Sequence, residues 1–162
     1  MTAKERSLDL ISFIDKSPSP FHAVQEISRR LEQEGFVYLP ETEAFPVVRG
    51  GKYYTKRNGS SIIAFRIPQE PKGGFQILAS HSDSPSFKIK GENPFLEDGN
   101  YTRLNVERYG GMIMAPWLDR PLGIAGRVIV RTEDGVRSEL VDSERNLTMI
   151  PNMPIHLSRK MN

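Results

Sequence analysis

Residues 73–90 read GGFQILASHSDSPSFKIK. An apolar run of Phe75, Ile77, Leu78 and Ala79 leads into Ser80-His81-Ser82-Asp83-Ser84-Pro85. A buried strand ending in a polar turn is a common setting for a site, because the strand fixes the side chains that the turn exposes. Residues 74–80 are therefore expected to form such a strand. His81 and Asp83 stand two residues apart, so in extended backbone both side chains leave the same face. An imidazole beside a carboxylate serves as a metal ligand with a supporting carboxylate, or as an acid–base pair.

Upstream, residues 5–16 carry Leu8, Ile11 and Ile14 at helical spacing, with Leu10 and Phe13 widening the face. Ser17-Pro18-Ser19-Pro20 stops that helix. Ser19 then caps a second helix with Pro20 at its first position, and Gly35 ends it. Phe21, Val24, Ile27 and Leu31 form its apolar stripe, and His22 near its start is read as structural. Strands are expected at residues 36–39, 52–56 and 61–67, the last two joined by an Asn58-Gly59 hairpin turn. Residues 69–74 are a surface loop.

Downstream of Gly91-Glu92-Asn93-Pro94 no helix is expected. Strand candidates lie at residues 103–107, 122–131 and 136–141, with Glu133-Asp134-Gly135 as a hairpin turn. Gly123 and Gly126 inside a strand-like run predict bends or bulges, as in a small barrel or strongly curved sheet. A domain boundary is expected near residue 90. The hydrophobic segment Ile150-Pro151-Asn152-Met153-Pro154-Ile155-His156-Leu157 stops five residues before the last, Asn162, with no capped helix or closing strand after it. That ending reads as part of a longer polypeptide.

Composition narrows the chemistry. With 162 residues the chain can bury one real core, and 38% hydrophobic with 26% charged residues is ordinary for a globular protein. A formal charge of +2, from 22 basic and 20 acidic residues in no long basic tract, gives nucleic acid no docking stripe. Cysteine is absent, so a metal here would need His, Asp or Glu ligands. No apolar stretch approaches the roughly 18 residues of a membrane span. The N-terminus is too charged for a secretory signal, and the expected location is cytoplasmic.

No G-x-S-x-G, P-loop, G-x-G-x-x-G or H-E-x-x-H motif occurs. Gly110-Gly111 reads as a turn, and Asp119-Arg120 as a turn with a local or partner salt bridge. His156, between Ile155 and Leu157, is by default a packed or solvated histidine, which leaves His81 alone with an acidic neighbour at strand spacing. A metal-independent hydrolase using Ser82 or Ser84 with His81 is disfavoured, because neither serine has the strained turn or third orienting group such chemistry needs.

Four stretches together resemble one family: SPSPFHAVQE (17–26), LASHSDSPSFKIK (78–90), YGGMIMAPWLDRPLGIAGRV (109–128) and IPNMPIHLSR (150–159). In this order and spacing they are similar to the N-terminal part of the aspartyl aminopeptidases, the M18 metallopeptidases. The resemblance implies an α/β fold class. Residues 1–90 would be the N-terminal part of a zinc-aminopeptidase catalytic domain, and residues 91–162 the first part of an inserted β-rich dimerisation domain. It implies two divalent ions, usually zinc, a peptide substrate cut after its N-terminal and often acidic residue, and a homo-oligomer, a dodecamer in the family. His81 would ligate one ion, with Asp83 orienting that ligand. His156 would reach from the dimerisation domain into the partner subunit's active site, to bind substrate and stabilise the tetrahedral intermediate. The family's remaining ligands, including an Asp, a Glu pair, another Asp and a His, lie downstream of this chain. A single His cannot hold two zinc ions, so the chain alone is expected to bind zinc weakly and to hydrolyse nothing. The alternative is a truncated, non-catalytic paralogue acting as an assembly or interaction module.

Overall fold

The computed structural model describes residues 1–70, 73–154 and 156. In chain order the helices are α1 (Ala3–Asp15) and α2 (Pro20–Gln33). The first strands are β1 (Val37–Tyr38), β2 (Lys52–Arg57), β3 (Ser61–Arg66), β4 (Ser86–Ile89), β5 (Phe95–Asp98) and β6 (Tyr101–Leu104). After them come β7 (Val106–Tyr109), β8 (Pro121–Leu122), β9 (Ala125–Thr132), β10 (Gly135–Asp142) and β11 (Thr148–Met149). Two compact units result. One comprises Met1–Asp83 with Ala125–Asp142, the other Ser84–Ile124 with Ser143–Asn162. These units divide at Asp83/Ser84, and the β9–β10 hairpin groups with the first.

In the first unit α1 starts two residues earlier than expected, because Thr2 and Glu5 make a capping box: Glu5 N–H donates to the Thr2 hydroxyl and Thr2 N–H to the Glu5 carboxylate. Its apolar face stays open, with Leu8, Leu10, Ile11 and Ile14 all exposed. Contact with α2 is polar instead. Arg30 pairs with Asp9 at 2.9 Å and its guanidinium lies 5.3 Å from the centroid of the Phe13 ring. Ser19 caps α2 with Pro20 at the first position, and Gly35 follows the helix with a left-handed φ of 79°.

The first sheet runs β1-β2-β3, with β1 parallel and β3 antiparallel to the central β2. Its hairpin turns on Asn58 and Gly59, whose φ values of 53° and 67° are those a type I′ turn requires. The core gathers Ala23 and Val24 of α2 with Leu39, Tyr53 and Tyr54. Tyr54 donates its hydroxyl to Glu32, and burial first, then that bond, pushes its pKa up to about 12. Glu26 is buried on α2 and accepts from Arg29 and Arg30. Those two bonds, Arg29's the larger, hold its carboxyl at about 2 against the opposing effect of burial.

Among the described residues of the second unit every sheet has two strands: β4 with β7, β5 with β6, and β8 with β11, all antiparallel. The strand expected at 103–107 is broken at Asn105, whose N–H donates to Pro94 O while its own carbonyl accepts from Lys90. The run expected at 122–131 is likewise split between β8 and β9 at Gly123. A Cβ there would lie 3.1 Å from the Ser143 hydroxyl, so a close approach rather than a bulge explains that glycine. Gly126 sits in regular register opposite Val141, and no barrel forms among the described residues. Gly110 turns the chain with φ 75° as expected, and one 3-10 turn at Ala115–Trp117 is the only helical piece described after residue 90. No helix among the described residues is long and apolar enough to cross a membrane.

The largest departure is at residues 74–80. No strand forms there: Phe75, Ile77 and Leu78 are 96%, 86% and 100% exposed. A near-continuous apolar run of this type suits a strand covered on both faces, and such a strand exists only with neighbours to bond to. Among the described residues none pairs with it. Pro71 and Lys72 of the preceding loop lie outside the described residues.

Candidate metal centre

His81 follows this exposed run and its own side chain is 81% exposed. Its Nδ1 lies 2.9 Å from the backbone carbonyl of Asp83 and 3.2 Å from the Asp83 Oδ1. Both partners are acceptors only, a carbonyl and an ionised carboxylate. Nδ1 must therefore carry the hydrogen and donate it. In the neutral ring this leaves the Nε2 lone pair free, on the side away from the carboxylate. That is the tautomer and orientation a metal ligand needs, with a carboxylate behind it to hold the ring. The structure thus brings His81 and Asp83 together as the i, i+2 spacing predicts, but in irregular backbone and not along a strand.

The donor set fits one ligand of a zinc centre and not a whole one. Among the described residues no three His, Asp or Glu side chains lie together as a metal cage would require. Ser82, between the two, donates its hydroxyl to the carbonyl of Ser60 at 2.9 Å. It is an anchor of the turn to the β2–β3 hairpin, a use no sequence pattern marked. His22 Nδ1 lies 2.7 Å from the hydroxyl of its own N-cap, Ser19.

His156 belongs to the second unit, in an exposed turn. Its expected neighbours in an alternating apolar segment, Ile155 and Leu157, and the chain from 157 to 162 lie outside the described residues. The segment before it is tied down at Asp119. Asp119 N–H donates to Ile150 O at 2.9 Å, and the Asp119 carboxylate accepts from Asn152 N–H at 2.8 Å. Leu118 and Ile150 form a parallel bridge beside them. Asp119 adopts a left-handed φ of 54°, a region that Asp and Asn tolerate better than most side chains. Within this chain the Asp119 carboxylate makes a side-chain-to-backbone clamp, and Arg120 donates to Pro116 O at 3.4 Å.

The family model described as Aminopeptidase I zinc metalloprotease (M18) matches residues 13–162, and the chain belongs to that family. It is 43% identical over 155 residues to the probable M18 family aminopeptidase 2 of Ectopseudomonas mendocina, covering 94% of this chain and 36% of that protein. It is also similar to a chain in the cryo-EM structure of the Ape4 and Nbr1 complex, at 41% identity and a TM-score of 0.90, over 97% of this chain and 31% of that one. A chain of the Saccharomyces cerevisiae mApe1 dodecamer matches at 31% identity and a TM-score of 0.78, over 90% of this chain and 35% of that one. The chain spans about a third of the length of the curated relatives it matches.

Proposed function

We propose that this chain is the N-terminal portion of a zinc-dependent aminopeptidase that removes N-terminal, preferentially acidic, residues from peptides. Residues 1–90 would belong to its catalytic α/β domain and residues 91–162 to an inserted β-rich dimerisation domain, with the β9–β10 hairpin of the insert grouped with the catalytic part. His81 would present Nε2 to one of two divalent ions, and Asp83 would hold the ring by its Nδ1–H. Bound zinc in such a centre polarises the scissile carbonyl and acidifies a water. His156 would donate to the developing oxyanion in the partner subunit's active site. The dodecamer of the yeast relative supports a homo-oligomer in which that exchange can occur.

The observation that carries the reading is the contact of His81 Nδ1 with the Asp83 carbonyl and carboxylate inside a family-matched segment. Metal analysis of the full-length protein tests it. Two ions per protomer are expected, with loss of at least one and of peptide hydrolysis in His81→Ala. Unchanged metal content and turnover in that variant would overturn the assignment.

A further inference from the structure

Five contacts inside the first unit run from α2 to the His81 segment. Ser82 gives its hydroxyl to Ser60 O. Ser60 closes the β2–β3 turn, its N–H donating to Arg57 O at 3.2 Å. The same turn is gripped from β9. Arg127 Nη1 donates to the Asn58 carbonyl at 2.8 Å and to the Asn58 side-chain oxygen at 3.0 Å. The Arg127 guanidinium lies 4.3 Å from the centroid of Phe21, at the start of α2. A planar cation stacked on a ring while donating to two oxygens is held in one orientation. Arg127 itself stands opposite Leu140 in the eight-pair register of the β9–β10 hairpin, so its backbone is fixed too.

The run leading into the turn contributes no comparable hold, since residues 74–80 pair with no strand among the described residues. Ser82 is the residue between the imidazole and its carboxylate. Fixing its side chain fixes the backbone that aims both.

We propose that Ser82 is the positioning residue for His81, and that Arg127 supports it by immobilising the Asn58–Ser60 turn that receives the Ser82 hydroxyl. This rests on His81 being a zinc ligand. Metal affinity depends on groups outside the ligand shell that orient the ligands, typically by about 10- to 100-fold. A hydroxyl that orients the turn and does not touch the ring belongs at the lower end of that range. On the reading that residues 91–162 belong to the insert, Arg127 also makes the insert a determinant of metal affinity.

The test is a chelator-competition measurement of zinc affinity in the full-length protein, with the absorption spectrum of the cobalt-substituted form as a second readout. His81→Ala should weaken zinc by more than about 100-fold, Ser82→Ala by about tenfold, and Ser82→Thr, which keeps the hydroxyl, should recover most of that loss. Arg127→Ala should weaken zinc about threefold alone and add less than about twofold to Ser82→Ala, because both act through one contact. Should Ser82→Ala not fold, Arg127→Ala carries the test. It removes the donor to both Asn58 oxygens, and an unchanged affinity and cobalt spectrum in it would overturn the proposal. Zinc affinity in a folded Ser82→Ala variant within twofold of the parent, beside a large effect of His81→Ala, overturns the positioning role alone. No effect of His81→Ala overturns the ligand assignment beneath it.

Discussion

Strand β2 and the run at residues 75–78 both offer large side chains for burial, yet Tyr54 is 1% exposed and Leu78 is 100% exposed. Strand β2 has β1 on one side and β3 on the other, with Tyr54 reaching Glu32 of α2. The 75–78 run has no neighbour among the described residues. An apolar pattern states what a segment can bury, and ladder partners decide whether it becomes a strand. The chain holds both partners of β2. For the run that leads into His81 no ladder partner lies among the described residues.

Truncation at the partnered strand should have the largest effect. Tyr54→Ala removes a fully buried ring and the bond to Glu32, and should cost about 3–5 kcal/mol in urea unfolding of the chain. A loss below about 1 kcal/mol would mean that β2 is not the core it is described as. A middle-sized effect belongs to Glu26 on the helix that covers this sheet. Its folded pKa lies below the ordinary carboxylate value, so its contribution is full above pH 4.5 and is lost as pH falls toward about 2. Glu26→Gln should cost about 1–2 kcal/mol at pH 7, less than the full shift implies because Arg29 is half exposed, and the gap should close in acid. A gap independent of pH would contradict the ion pair as its source. The smallest effect is the sharpest contrast. Leu78→Ser should change the stability of this 162-residue chain by less than about 0.5 kcal/mol. In the full-length protein the same substitution should cost 2 kcal/mol or more, as burial of a leucine requires. Equal effects in the two would remove the distinction.

Local signals were legible where their partners are near in sequence. Ser19-Pro20 and Gly35 bounded α2, and Asn58-Gly59 and Glu133-Asp134-Gly135 placed two hairpins, because caps and turns are decided within a few residues. The capping box at Thr2 was equally local and was passed over, since the helix start was sought from the apolar period alone. Strands at 86–89 and 95–98 escaped because their partners, β7 and β6, give them pairing that their own short sequences do not announce. At the site, the His81–Asp83 pairing followed from spacing. The Ser82–Ser60 bond and the Asp119–Asn152 clamp did not, because each joins residues 22 and 33 positions apart through one backbone group of no particular sequence.

The central claim is that this chain carries one ligand of a metal centre and the rest of the site lies elsewhere in the protein. Zinc titration of the 162-residue chain, with a peptidase assay on the same sample, tests it most directly. The account predicts weak, sub-stoichiometric zinc binding that His81→Ala reduces further, and no turnover. Two tightly bound ions per chain, or measurable release of N-terminal residues from a peptide, would contradict it.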